Sequence, residues 1–148
     1  MLSEALSASI IGINAYPVEV EVDITSRGLP HFSMVGLPDA VKETKDRGRA
    51  ALKNIGFHFL LKHITVNLAP ANLKKEGSSF DLPIAIGIIA AEGVLEPAST
   101  TGYLFTGGLS LNGAIKPVRG ALSMAMRARE MGLKGIVILE ENASEGRL

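Results

Sequence analysis

The 148-residue chain has no cysteine and no tryptophan. Without thiols there are no disulfides, no thiolate metal ligands and no cysteine nucleophile, and the composition fits a reducing compartment. Aromatic residues make up 5% of the chain, too few for a base-stacking platform or a carbohydrate cleft. An excess of charge is missing as well. Fifteen Lys and Arg balance fifteen Asp and Glu, so the overall positive field of a nucleic-acid-binding protein is absent, although a local basic face is compatible with this balance. The longest apolar run, 82–91, falls well short of the about 20 residues that cross a bilayer. The first residues, Met1 to Glu4, lack the basic start of a signal peptide. These features point to a cytoplasmic domain with no membrane partner. Neither G-x-x-x-x-G-K-[ST] nor G-x-G-x-x-G occurs, so no cofactor is expected in this chain. His31, His58 and His63 have no ligand spacing, so no metal is expected either.

What is present is a globular composition, 47% hydrophobic, of a length that fits one domain over 1–148. Val18, Val20, Val22 and Ile24 alternate with Glu19, Glu21 and Asp23, which is the period of a strand with one buried and one wet face. Residues 5–13 form a preceding strand, punctuated by Asn14-Ala15-Tyr16-Pro17, and the two make an antiparallel hairpin. A third strand is expected at 31–35. A helix follows from Pro38-Asp39, with Val41, Thr44, Gly48, Leu52 and Ile55 inward and Gly56 as its stop. A fourth strand at 63–68 turns Ile64, Val66 and Leu68 inward. Asp81 is expected to cap a helix over 82–91 that is apolar nearly all round and so must be buried. Residues 102–110 read as a glycine-broken strand, 111–114 as an Asn-Gly hairpin turn and 115–118 as the return strand. A helix over 120–131, with Ala121, Leu122, Ala125 and Ala128 inward, leads to a buried parallel strand at 136–139.

Three groups of residues are candidates for chemistry. The loop 74–81 joins Lys74, Lys75, Gly77, Ser78 and Ser79 to a helix N-terminus, which suits an anion or an oxyanion, and a serine there becomes a nucleophile if a base lies within reach. The same residues also read as a capping box, Ser78-x-x-Asp81. Lys42, Lys45, Arg49 and Lys53, at spacings of three, four and four, form one helical stripe, either a phosphate-contacting face or a solvated one. Glu19, Glu21 and Asp23 line one strand face, read as a wet face that discourages edge pairing rather than as a metal cage.

The stretch from Gly108 to Gly120 resembles the proteolytic domain of Lon proteases, and Lys75-Glu76-Gly77-Ser78-Ser79 lies where those proteins carry K-D-G-P-S. A resemblance over the whole chain rests on 36–43 (GLPDAVKE), 67–71 (NLAPA) and 80–85 (FDLPIA), which are similar to the amino-terminal region of the ComM/YifB family of magnesium-chelatase-like AAA+ proteins. It implies an α+β, two-layer fold of the Lon-protease-domain type, in the ribosomal small-subunit protein domain-like superfamily. It also implies a fragment, with a AAA+ ATPase module downstream that uses ATP and Mg. The expected partners are that module, other subunits in a homo-hexamer, and DNA undergoing branch migration in natural transformation. The Lon serine falls on Ser79, but the Lon lysine falls on Leu122 and its second lysine on Met124. A leucine accepts no proton, so no catalytic residue is expected in this chain. The resemblance therefore implies an accessory domain that aids ring assembly or contacts DNA through Lys42, Lys45, Arg49, Lys53, Lys74 and Lys75. The alternatives are a Ser-Lys peptidase using Ser79 and a stand-alone nucleic-acid-binding module.

Overall fold

A computed structural model describes residues 1–26, 28–36, 41–57, 62–71, 73, 75, 78–139 and 142, without the side chains of Val41, Lys42, Ser78 and Pro97. The alternating stretch lies within β2 (Asn14–Thr25), which pairs antiparallel with β1 (Leu2–Ile11). The strand is longer than its pattern. Asn14 to Pro17, expected to interrupt it, stay in register with Ile11 to Ala8, and the turn shrinks to Gly12 and Ile13, with Gly12 at φ +66°. Then come β3 (His31–Val35), α1 (Val41–Asn54), β4 (His63–Ala69), a 3-10 turn (Ser78–Phe80), α2 (Asp81–Ala91) and a short α3 (Pro97–Thr100). The remaining elements are β5 (Tyr103–Phe105), β6 (Gly108–Leu109), β7 (Ile115–Lys116), α4 (Ala121–Glu130) and β8 (Gly135–Val137).

Six strands form one mixed sheet in the order β3-β4-β2-β1-β5-β8. Its β4-β2-β1 centre is antiparallel, while β3 runs parallel to β4, β5 to β1 and β8 to β5. The glycine-broken strand divides at Thr106-Gly107: β5 stays in the main sheet and β6 leaves it to pair with β7. Strand β2 is interior, so Glu19, Glu21 and Asp23 guard no edge. They face Ala69, Asn67 and Thr65 of β4, and Asn67 Nδ2 donates to Glu21 Oε1 at 2.8 Å. The stripe is the uncovered face of a central strand.

The opposite face carries the main core. Val18, Val20, Val22 and Ile24 meet Ile64, Val66, Leu68 and Phe32, all at most 5% exposed, beneath α1 and α2. Each such aliphatic side chain contributes about 1.5–3 kcal/mol of transfer free energy. Helix α2 is buried nearly all round, as its composition requires. It lies tightly against the sheet at Gly87, where a Cβ would lie 2.6 Å from Val22 Cγ2 and where Ser3 Oγ donates to the Gly87 carbonyl at 2.5 Å. Gly87→Ala therefore lifts the helix from the sheet. Despite alanine's better helix propensity, we expect denaturant melts to show a loss of about 1–3 kcal/mol, and a gain would contradict this packing.

The two-layer expectation holds for only half of the sheet. Met124 and Ala128 of α4 pack with Ala8, Ala15 and Leu104 on the other face, so β1 has α2 on one side and α4 on the other. Along α4 the buried residues are Ala121, Met124 and Ala128, while Leu122 and Ala125 are half-exposed. The buried residues follow steps of three and four, and Leu122 lies about 100° around the helix from Ala121, off that line. Ile55 is likewise 52% exposed rather than inward, because α1 ends at Asn54 and Ile55 lies in the turn that Gly56 closes at φ +103°.

Candidate functional site

Two stretches of backbone meet at the start of α2. The Ser79 carbonyl accepts from Gly107 N at 3.0 Å and from Thr106 Oγ1 at 3.5 Å, and Leu82 N donates to the Gly107 carbonyl at 2.9 Å. Asp81 does not cap the helix. The N-cap is Phe80, without a side-chain cap bond, and Ser78 belongs to the 3-10 turn before it, so Ser78 is not the N-cap of α2. The Asp81 side chain, fully buried, turns instead to Arg47 of α1. Arg47 Nε reaches Oδ2 at 2.8 Å, Nη2 reaches Oδ1 at 3.2 Å, and Leu109 N of β6 donates to Oδ2 at 3.1 Å. This fork locks α1, α2 and the β6-β7 hairpin together. Burial pushes the Asp81 carboxyl up from the ordinary carboxylate range, while the Arg47 guanidinium and the Leu109 amide pull it back. The hydrogen bond to Asp81 holds the Arg47 guanidinium above its usual value.

Sequence reasoning misses Arg47, yet a signal for it exists. It lies on the opposite side of α1 from the Lys45–Arg49–Lys53 stripe, among the inward residues Thr44, Gly48 and Leu52. A cation on the buried side of a helix calls for a buried anion.

Ser79 is half-buried, and among the described residues no side chain hydrogen-bonds its hydroxyl. Lys75, expected among the surface cations, is 7% exposed. Its Nζ donates to the carbonyls of Pro70 at 2.5 Å and Leu73 at 3.0 Å, and burial pushes its pKa below the ordinary lysine value. This ammonium ties the loop to itself and is not presented to a phosphate. Met124, at the position of the second Lon lysine, is a core residue, and Leu122 is on a helix packed against the other face of the sheet from α2.

The basic stripe is only partly described. Lys74 and the Lys42 side chain lie outside the described residues. Lys45 Nζ stands 5.6 Å and the Arg49 guanidinium carbon 5.7 Å from the centroid of Phe32, so both lie over one buried ring. Arg49 and Lys53 are exposed, and among the described residues none of Lys45, Arg49 and Lys53 has a carboxylate partner. No helix is long and apolar enough to cross a membrane among the described residues.

Residues 20–142 match the family described as subunit ChlI of Mg-chelatase. The chain belongs to this magnesium-chelatase ChlI family. Among its relatives it is 47% identical over 136 residues to the uncharacterized protein YifB of Salmonella typhimurium, covering 91% of the chain and 26% of that protein. It is 46% identical to YifB of Escherichia coli, over 97% of the chain and 28% of the relative. To the competence protein ComM of Haemophilus influenzae it is 43% identical, over 99% of the chain and 29% of the relative. This ChlI-family chain thus spans little more than a quarter of the length of the relatives it matches.

Proposed function

We propose that this ChlI-family chain is the amino-terminal, non-catalytic accessory domain of a longer ComM/YifB-type AAA+ ATPase, with a Lon-protease-like fold. In this reading the ATP and Mg chemistry belongs to a downstream module. The domain helps to assemble a homo-hexameric ring and guides DNA during branch migration linked to natural transformation. The observation that carries the DNA part is the row of Lys45, Arg49 and Lys53 on α1, the first two lying over Phe32 and all three free of carboxylate partners among the described residues. Cations so presented bind phosphates and release counterions.

The test uses the full-length protein with Lys45→Gln, Arg49→Gln and Lys53→Gln together, which remove the charges and keep much of the aliphatic stems. DNA-binding affinity is measured against salt. We expect the slope of log affinity on log salt to become shallower by about 2–3, at about 0.9 for each phosphate no longer neutralised, with ATPase activity without DNA retained. An unchanged slope would remove α1 from the DNA path. The peptidase alternative has its own readout. A serine-directed probe that labels the wild type and not Ser79→Ala would restore it, and equal absence of labelling supports the accessory reading.

A further inference from the structure

Sequence spacing separates His31 and His63 by 32 positions, but the parallel pairing of β3 with β4 sets them directly opposite each other. Their side chains rise from the uncovered face of the sheet, since the neighbouring Phe32 and Ile64 point into the core beneath α1 and α2. His31 is exposed and His63 half-exposed, so both rings are reachable from solvent. Their centroids lie 5.5 Å apart with the ring planes tilted by 51°.

That separation has a chemical meaning. With metal–nitrogen bonds of about 2.0–2.1 Å and a ring nitrogen about 1.1 Å from its centroid, two imidazoles on one tetrahedral ion have centroids about 5.2 Å apart. The observed distance is within a few tenths of an ångström of this, so modest side-chain rotations bring one nitrogen of each ring onto a common point. The strand register fixes the two backbones opposite each other before any ion arrives, so only side-chain torsions remain to be ordered on binding.

We infer that His31 and His63 form a two-imidazole chelate for a borderline divalent transition-metal ion, with water or an incoming group in the remaining positions. Imidazole suits Cu2+, Ni2+ and Zn2+, whereas Mg2+ and Ca2+ require oxygen donors. The bridge joins the edge strand β3, whose one partner among the described residues is β4, to the body of the sheet. An ion held there selectively stabilises the folded chain, because the two ligands converge only in the fold.

The experiment is calorimetric titration of Cu2+, Ni2+ and Zn2+ into the untagged 148-residue chain, with paramagnetic resonance of the Cu2+ adduct. The variants are His31→Asn, His63→Asn, the double variant and His58→Asn as a control. One ion should bind per chain, with Cu2+ tightest. Each of His31→Asn and His63→Asn should weaken binding at least tenfold, and His58→Asn should not. The Cu2+ spectrum should show two coordinating nitrogens in the wild type and one in each of those single variants. Thermal unfolding should shift upward with metal in the wild type and stay put in the double variant. Binding by the double variant at wild-type strength, a one-nitrogen wild-type spectrum, or loss in His58→Asn alone would overturn the proposal. Should an asparagine variant fail to fold by circular dichroism, imidazole acylation of the unaltered chain decides the matter. Metal should shield His31 and His63 but not His58, and equal acylation of all three with and without metal would overturn the site.

Discussion

Arg47→Met is expected to destabilise the chain by about 3–5 kcal/mol, and Asp81→Asn by distinctly less. The asymmetry follows from exposure. The Asp81 side chain is fully buried, so losing Arg47 leaves a carboxylate that water cannot reach, with Leu109 N as its remaining donor. The Arg47 side chain is 26% exposed, so after Asp81→Asn its guanidinium can turn partly to solvent while the amide oxygen of Asn keeps an acceptor for Leu109. Replacing both partners by apolar residues should cost less than Arg47→Met alone, because no charge is then stranded. The pH dependence gives a second signature. With Arg47 gone, burial acts on the Asp81 carboxyl without its main opponent, and the folded-state pKa rises further above the unfolded value. The folded variant then binds a proton that the unfolded chain has released. Its stability should be highest below the ordinary carboxylate range and fall as pH rises through the raised pKa. Denaturant melts of Arg47→Met between acid and neutral pH check this, and a deficit independent of pH would contradict it.

Gly36→Ala is expected to cost roughly 3–5 kcal/mol, the sum of a strained backbone and a steric conflict. Gly36 follows β3 at φ +93°, where side chains are disfavoured, and an added Cβ would sit 2.3 Å from the Leu68 carbonyl oxygen. That oxygen belongs to the backbone of β4, so the conflict is relieved only by moving β3 outward. Hydrogen exchange should show the damage concentrated in β3, with the β1-β2 hairpin far less affected, because among the described residues β3 has a single partner strand. Uniform protection across the sheet in the variant would show that the close approach is not real.

Periodicity makes much of this fold legible. The strand over 31–35, the hairpin of β1 and β2, the buried helix α2 and the parallel last strand all follow from patterns of two, of 3.6 or of unbroken apolar residues. What periodicity cannot carry is pairing between distant segments. Glu19, Glu21 and Asp23 look the same in an edge strand and in a central one, and only the register with β4 tells them apart. Asp81 looks like a cap by position, but Arg47 is 34 residues away and Leu109 is 28 residues away. Lys75 looks like a surface cation by type, and its two carbonyl partners are invisible in residue identities. His31 and His63 illustrate the same limit, since their proximity exists only through parallel pairing. The resemblance to the ComM/YifB family, by contrast, is readable from short ordered motifs, because such motifs survive without knowledge of the contacts they make.

The place of β1 in the sheet also bears on how the chain comes into being. Its first partner, β2, is next in the sequence, but its second, β5, pairs through Leu6 and Leu104, nearly a hundred residues apart. During synthesis from the amino terminus, β1, β2 and β4 can assemble while one side of the ten-residue β1 still has nothing to bond. A nascent chain that pauses before Tyr103 therefore displays an unpaired strand edge to its neighbours on the same messenger, the geometry through which growing chains aggregate. Slower translation between β4 and β5 is therefore expected to lengthen the time for which this edge is exposed.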